Sequence, residues 1–196
     1  MTRIIAGAAK GRRLAVPKHR TRPTSDRVRE SMFSAVSAYL LKAGLDWSEL
    51  AVLDLYAGSG ALGLEALSRG ARQVVLIEKT RSAGEVIEAN IAAVALPGTL
   101  LLVGDVSSVL GRLGGQVFDL ILVDPPYEVA AAEIASILMK LQVSGLAAGG
   151  GLAVVERPTQ DWATPIPATW EVLRQRRHGD TTLWYGQVPE NALDFK

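Results

Sequence analysis

The feature that most restricts how this chain can fold is an alternation of short apolar segments with helix-like segments, which begins near residue 51. Segments with helical spacing separate apolar runs at 51–56, 73–78, 99–103, 117–123 and 151–156. Parallel strands need crossover connections, and helices that cover both faces of a sheet bury such strands. We therefore predict an α/β fold built on a mostly parallel sheet.

The carboxyl-terminal part departs from this alternation. Residues 170–177 and 181–188 have the composition of strands, and only His178, Gly179 and Asp180 lie between them. So short a connection predicts an antiparallel hairpin at the edge of the sheet.

The first thirty residues concentrate positive charge. They contain nine Lys/Arg against two Asp/Glu, whereas the remaining residues contain twelve against eighteen. Two short strands, around 3–6 and 12–16, predict a small basic hairpin, and such a distribution is typical of proteins that bind a polyanion. A solvated arm is the alternative. The candidate nucleic-acid contacts are Arg3, Lys10, Arg12, Arg13 and Arg20.

A helix is expected after this basic segment, from a cap at Thr24 or Ser25 to about Lys42, with Gly44 ending it. Its apolar face would pack on the core while Arg27 and Arg29 project elsewhere. The apolar face consists of Val28, Met32, Val36 and Tyr39. We expect a basic hairpin or arm over 1–22 and one further domain over 23–196.

Composition excludes several classes of protein. The 196 residues include no cysteine and only two histidines, so thiolate metal sites and disulfides are excluded and no metal centre is predicted. No apolar stretch approaches the roughly 20 residues that span a bilayer. The simplest expectation is a cytoplasmic protein without a membrane contact.

A glycine-rich motif follows the first apolar run. Gly58, Gly60 and Gly63 have the G-x-G-x-x-G spacing between a predicted strand and a predicted helix. Glu78 ends the next strand, where its carboxylate can accept hydrogen bonds from ribose hydroxyls, and Asp105 follows the third strand, where it can accept from an adenine amino group. This pattern fits NAD(H) as well as any other adenosine-containing cofactor.

The residues Asp124, Pro125, Pro126 and Tyr127 follow the apolar run at 117–123. Residues at strand ends of open α/β sheets line the crevice that binds ligands, and consecutive prolines remove two backbone donors. A carboxylate, rigid carbonyl groups and a flat ring suit an aromatic molecule that carries an amino group. Near the strand ends we find no proton relay of the kind that a dehydrogenase needs, which favours S-adenosylmethionine over a nicotinamide.

This combination resembles the class I S-adenosylmethionine-dependent methyltransferases that modify exocyclic amines of nucleic acids. Within them it is similar to the bacterial family that methylates a guanine N2 of 16S ribosomal RNA, the small-subunit methyltransferase D type. The resemblance runs over nearly the whole chain. Three segments carry it: Arg-Pro-Thr-Ser-Asp-Arg-Val-Arg-Glu-Ser-Met-Phe at 22–33, Gly-x-x-x-Gly-Arg at 7–12, and Asp-Leu-Tyr-Ala-Gly-Ser-Gly at 54–60.

The family resemblance implies a Rossmann-like fold with a seven-stranded sheet whose last hairpin strand is antiparallel. It implies S-adenosylmethionine as methyl donor and 16S ribosomal RNA in a partly assembled small ribosomal subunit as substrate; we expect a monomer. Glu78 would hold the ribose and Asp105 the adenine. The other implied cofactor contacts are Thr24, Asp54, Ala57, Gly58, Ser59, Gly60, Lys79 and Val106.

The same resemblance implies the catalytic roles. Asp124 and the Pro125 carbonyl would accept hydrogen bonds from the guanine amine, and Tyr127 would stack on the base. Relatives often have an aromatic residue where this chain has His178, so no stacking role is assigned to it. A DNA adenine-N6 methyltransferase, a non-catalytic RNA-binding assembly factor and a nicotinamide oxidoreductase remain as alternatives.

Overall fold

The computed structural model of the protein describes residues 2–17 and 25–190. The fold class is confirmed, because seven strands form a mostly parallel sheet with antiparallel strands at the carboxyl-terminal end. The chain divides into two compact units, Met1–Val106 and Ser107–Lys196. The boundary between an arm and a domain at residue 22 stays a prediction. Within the described ranges, no helix is long and apolar enough to cross a membrane.

In its described residues, the first unit contains a small hairpin, three parallel strands and three helices. Strand β4 lies between β3 and β5, and the register pairs Leu55 with Ile77 and Glu78 with Val103. Single-turn 3-10 helices occur at Trp47–Glu49 here and Leu110–Leu113 in the second unit. The main elements are β1 (Thr2–Arg3), β2 (Arg13–Leu14), α1 (Asp26–Ala43), β3 (Ala51–Leu55), α2 (Ala61–Ser68), β4 (Gln73–Glu78), α3 (Arg81–Val94) and β5 (Thr99–Val103).

Helix α1 begins and ends where the sequence predicts. The Ser25 side chain accepts a hydrogen bond from the Val28 N–H, and Gly44 closes the helix in the left-handed conformation. The expected outward position of Arg29 is wrong. Its side chain is 1% exposed and donates from Nη2 to the Arg3 carbonyl and to Asp26. Backbone and carboxylate acceptors thus compensate for the burial of this guanidinium.

The amino-terminal hairpin is held mainly by side chains of helix α2. The buried Glu65 carboxylate accepts hydrogen bonds from the N–H groups of Ile5 (2.7 Å) and Ala6 (3.0 Å). The Ser68 hydroxyl accepts one from the Ala9 N–H and donates one to the Ala6 carbonyl. Because these side chains bond the connecting backbone, strands β1 and β2 are only two residues each, shorter than predicted.

The second unit orders its strands β6-β7-β9-β8. Strand β7 pairs in parallel with β6 and antiparallel with β9, so it extends over twelve residues, beyond the predicted 151–156. Strand β8 lies at the edge and pairs with β9 through a turn at Gly179 and Asp180, which confirms the predicted hairpin. The elements are β6 (Phe118–Val123), α5 (Ala131–Val143), β7 (Ala147–Pro158), β8 (Glu171–His178) and β9 (Thr181–Gln187), preceded by α4 (Val106–Val109) at the boundary.

The contact between the hairpin and α2 can be tested with two glycines of similar backbone conformation. Gly7 has φ +81° and a Cβ there would lie 1.7 Å from the Ser68 carbonyl oxygen, whereas Gly11 has φ +84° and no atom within 4 Å. At either position an alanine must adopt the left-handed backbone conformation, which costs about 1–2 kcal/mol. Only Gly7→Ala must also push the hairpin away from α2. We expect Gly7→Ala to lower Tm by about 10 °C and Gly11→Ala by about 4 °C, measured by circular dichroism. Equal decreases in Tm for the two variants would contradict the close contact between the hairpin and α2 at Gly7.

Candidate active site

The predicted cofactor residues gather at one edge of the first unit. Strands β3, β4 and β5 run parallel, so their carboxyl ends lie at the same edge, where the Gly58–Gly60 loop, Glu78 and Asp105 follow them. Backbone hydrogen bonds join these ends: the Ala57 N–H donates to the Ile77 carbonyl (2.8 Å) and the Gly104 N–H to the Glu78 carbonyl (2.9 Å). The structure therefore brings together those predicted cofactor residues of this unit that it describes.

Glu78 is oriented by its neighbours. Its Oε2 accepts from the Gly58 N–H at 2.9 Å, and its Oε1 accepts from the N–H and the hydroxyl of Thr80 at 2.9 and 3.0 Å. A carboxylate has about four acceptor positions, so one remains for a donor such as a ribose hydroxyl. The half-buried side chain is thus held in place before a ligand arrives.

The backbone leading into the glycine loop is strained. Tyr56, between β3 and the loop, has φ 62°, which is unusual for a residue other than glycine. Such a conformation costs about 1–3 kcal/mol and is concentrated at functional sites. The buried Asp54 on β3 accepts a hydrogen bond from the Gly63 N–H (2.8 Å) and so fixes the start of α2 against the strand. No local sequence signal marks Tyr56.

Asp105 and Lys79 form an ion pair across the ends of β4 and β5. Lys79 Nζ lies 3.3 Å from Asp105 Oδ2, and both side chains are largely exposed. Such a pair contributes little to stability, so it yields readily to a ligand. Val106 is buried beside them and Ser59 is buried in the loop. Of the remaining predicted cofactor contacts, Thr24 lies outside the described residues.

Asn90 on helix α3 was missed by the sequence analysis. Its side chain is 2% exposed, and its Nδ2 donates to the carbonyl oxygens of Ser59 (2.8 Å) and Ala15 (3.0 Å). Its Oδ1 accepts from the Ala15 N–H at 2.8 Å. One amide therefore bonds both the glycine loop and the backbone just after β2. Because the partners lie 31 and 75 residues away in sequence, no local pattern could have shown this.

The predicted catalytic residues belong to the second unit. Asp124 follows β6 and is half-buried, Pro125 is buried and Tyr127 is 53% exposed. The Pro126 carbonyl accepts from the Val129 N–H at 3.1 Å, which forms the turn before α5. Within residues 25–190 no group donates a hydrogen bond to the Pro125 carbonyl. The segment thus carries a carboxylate, an acceptor carbonyl and an accessible ring.

The predicted RNA contacts are at the surface where they are described. Lys10, Arg12 and Arg13 are exposed on the hairpin. Arg3 is also exposed but pairs with Asp26, with 3.3 Å between Nε and Oδ2. Arg20 lies outside the described residues. In the described part of the chain, no cluster of three or more His, Cys, Asp or Glu could hold a metal ion.

Several known proteins that are similar to this chain are named as methyltransferases. A family model described as Conserved hypothetical protein 95 matches residues 2–187. The Escherichia coli Ribosomal RNA small subunit methyltransferase D is 34% identical over 178 residues, which cover 90% of this chain and 85% of that relative. The solved structure of a putative methyltransferase, yhhF, from Escherichia coli matches with a TM-score of 0.77 and 32% identity, over 96% of this chain and 98% of that chain.

A more distant solved structure matches in fold. It is an RNA methyltransferase from Salinibacter ruber in complex with S-adenosyl-L-homocysteine, with a TM-score of 0.61 and 17% identity over 86% of this chain and 95% of that chain. The chain therefore belongs to the Conserved hypothetical protein 95 family and to the family of the small-subunit ribosomal RNA methyltransferases D, and it has the fold of the class I S-adenosylmethionine-dependent methyltransferases.

Proposed function

We propose that this protein transfers a methyl group from S-adenosylmethionine to the exocyclic N2 of a guanine in 16S ribosomal RNA, within an assembling small ribosomal subunit in the cytoplasm. The observation that carries this proposal is the segment after β6, where a half-buried carboxylate precedes a carbonyl group with a free acceptor position and an exposed tyrosine ring. An aromatic base with an exocyclic amine matches these three groups. The similarity to small-subunit ribosomal RNA methyltransferases supports ribosomal RNA as the source of the base.

The cofactor edge of the first unit fits S-adenosylmethionine. Glu78 keeps an acceptor position for the ribose, Asp105 lies at the neighbouring strand end for the adenine, and the Gly58–Gly60 backbone follows β3 at the same edge, where it would contact the methionine part. The remaining proposed cofactor contacts at this edge are Lys79, Val106, Asp54 and Ala57. When bound, S-adenosylmethionine would supply a methyl group from its positively charged sulfur, and neutral S-adenosylhomocysteine would be the leaving group.

The residues after β6 act on the amine. Guanine N2 is a weak nucleophile because its lone pair is delocalised into the ring. Asp124 and the Pro125 carbonyl each accept a hydrogen bond from one of its two N–H groups and hold these hydrogens out of the ring plane, which raises the electron density on nitrogen and orients the lone pair. Stacking on Tyr127 contributes roughly 1–3 kcal/mol and offsets part of the few kcal/mol needed to extrude the base. The methylated amine carries a positive charge and is acidic, so it would readily lose one proton to Asp124 or to water, and Asp124 need not be a strong base.

The direct test is methyl transfer from labelled S-adenosylmethionine to undermethylated small subunits, naked 16S RNA and DNA in parallel, with digestion to nucleosides. We expect label in N2-methylguanosine and more of it in the particle than in naked RNA. Label in N6-methyladenine would assign the protein to the DNA methylases instead. Cofactor binding with no label in any substrate would contradict the proposed reaction.

Asp124→Ala is expected to lower kcat by at least about a thousandfold, because one of the two groups that hold the amine is lost. The dissociation constant for S-adenosylmethionine, measured by calorimetry, should change less than about threefold. Glu133→Gln, at an exposed position on α5, is the matched control and should behave as the unmodified protein. Retained turnover in Asp124→Ala would overturn the catalytic assignment.

Glu78→Gln is expected to weaken S-adenosylmethionine binding by about 10- to 100-fold, since a hydrogen bond to a charged acceptor contributes about 1.5–3 kcal/mol. The glutamine keeps one oxygen that can accept from the Gly58 N–H and loses the bonds to the exposed Thr80, so the fold should persist and Tm should fall by only about 2–4 °C. Glu85→Gln on α3, an exposed carboxylate paired with Arg81, serves as the control. An unchanged affinity in Glu78→Gln would remove Glu78 from the cofactor site.

A further inference from the structure

The edge strand β8 carries positive charge that the proposed function leaves unused. Residues 107–196 contain seven Lys/Arg against ten Asp/Glu, yet three of the seven lie within the eight residues of β8, which has one acidic residue. The three are Arg174, Arg176 and Arg177, and all are exposed. An acidic unit thus has one locally basic strand.

The register of the hairpin places two of these arginines on one face. Arg174 lies opposite Tyr185 and Arg176 opposite Leu183, and directly paired residues share a face of the sheet. Two positions along a strand are about 7 Å apart, comparable to the separation of neighbouring phosphates in one nucleic acid strand. Burial raises the pKa of Tyr185 to about 12, and the charges of Arg174 and Arg176 partly oppose this, as expected for two guanidinium groups near the phenol.

Both guanidinium groups are available for a ligand. Among the described residues, neither the Arg174 nor the Arg176 side chain makes an ion pair or a hydrogen bond. Arg177 points to the opposite face, where its Nε donates to the Gly179 carbonyl at 3.1 Å. A guanidinium fork matches the geometry of a phosphate better than a lysine ammonium does.

We propose that Arg174 and Arg176 bind phosphates of the RNA substrate, so that β8 is a second RNA-contact surface in addition to the basic amino-terminal hairpin. The choice of RNA rests on the proposed function. Charged residues on an edge strand also discourage pairing with strands of other molecules. If this were the only role of the two arginines, removing their charges would not change RNA binding. Phosphate binding instead predicts a specific loss when the two charges are removed.

The test compares two double variants with the same change in net charge. Arg174→Gln/Arg176→Gln removes the proposed contacts, and Arg112→Gln/Lys140→Gln removes two exposed charges elsewhere in the same unit. The dissociation constant for a fluorescent 16S RNA fragment is measured by anisotropy across a series of salt concentrations. We expect the β8 variant to bind roughly tenfold more weakly and its salt slope to fall by about 1.5, because each phosphate contact contributes about 0.7–0.9.

The control variant should change affinity less than about twofold, and the Kd for S-adenosylmethionine should be the same in all three proteins. Equal losses in both double variants, or no loss in the β8 variant, would overturn the β8 surface. Methyl transfer by the unmodified protein is measured separately: if it transfers no label, the proposed function fails, whereas the binding comparison still reports on β8.

A second inference rests on Asn90, whose hydrogen bonds join two functional segments of the first unit. We infer that Asn90 is a positioning residue that links the amino-terminal hairpin to the cofactor loop. Its amide bonds Ala15, directly after the hairpin, and the Ser59 carbonyl. Displacement of the hairpin is therefore transmitted to the loop backbone, and loss of the amide leaves both segments less well fixed.

Asn90→Ala, with the milder Asn90→Ser, is compared with Gln142→Leu, which removes a fully buried amide of the second unit. We expect the Asn90 variants to weaken S-adenosylmethionine binding about tenfold and to raise its KM more than they lower kcat. Gln142→Leu should lower Tm without changing that affinity. If the Asn90 variants lower Tm but keep the cofactor affinity, Asn90 is merely structural and the inference is overturned.

Discussion

The first unit depends on a carboxylate that is completely removed from water. Glu65 is 0% exposed, and its charge is compensated by two backbone N–H groups of the hairpin and by Arg69 Nε at 2.9 Å. Removing water from a carboxylate costs several kcal/mol unless such donors replace it. If the hairpin left α2, the buried Glu65 carboxylate would therefore lose the hydrogen bonds from the Ile5 and Ala6 N–H groups. Since α2 begins directly after the glycine loop, one helix both retains the basic hairpin and shapes the proposed cofactor site.

The loop at the start of α2 is held by side chains from three different elements. Asp54 on β3, Glu78 on β4 and Asn90 on α3 each accept from, or donate to, the backbone within or just beyond the loop. These contacts supply the free energy that keeps Tyr56 in its left-handed conformation. A loop fixed in this way loses little conformational entropy when a ligand binds, which is the advantage of pre-organisation.

Those features of the fold that depend on local sequence patterns were predicted correctly. The alternation of apolar runs identified the parallel sheet, and Ser25 and Gly44 marked the ends of α1, because caps and strand periodicity are local properties. The burial of Arg29 and the contacts of Asn90 could not be predicted in this way. Both depend on acceptors that the fold brings from 26 or more residues away, so charge and helix periodicity alone gave the wrong position for Arg29 and no signal for Asn90.

The net charge of +1 says little about how this chain would meet RNA, because charges act locally in salt solution. At physiological ionic strength the screening length is about 8 Å, so an acidic residue farther away barely weakens a basic cluster. The hairpin and β8 are such clusters on an otherwise acidic chain. The proposed phosphate contacts are thus confined to two small surfaces, one in each unit. The acidic remainder would repel RNA phosphates, so it would disfavour binding through the rest of the surface and add to specificity more than to affinity.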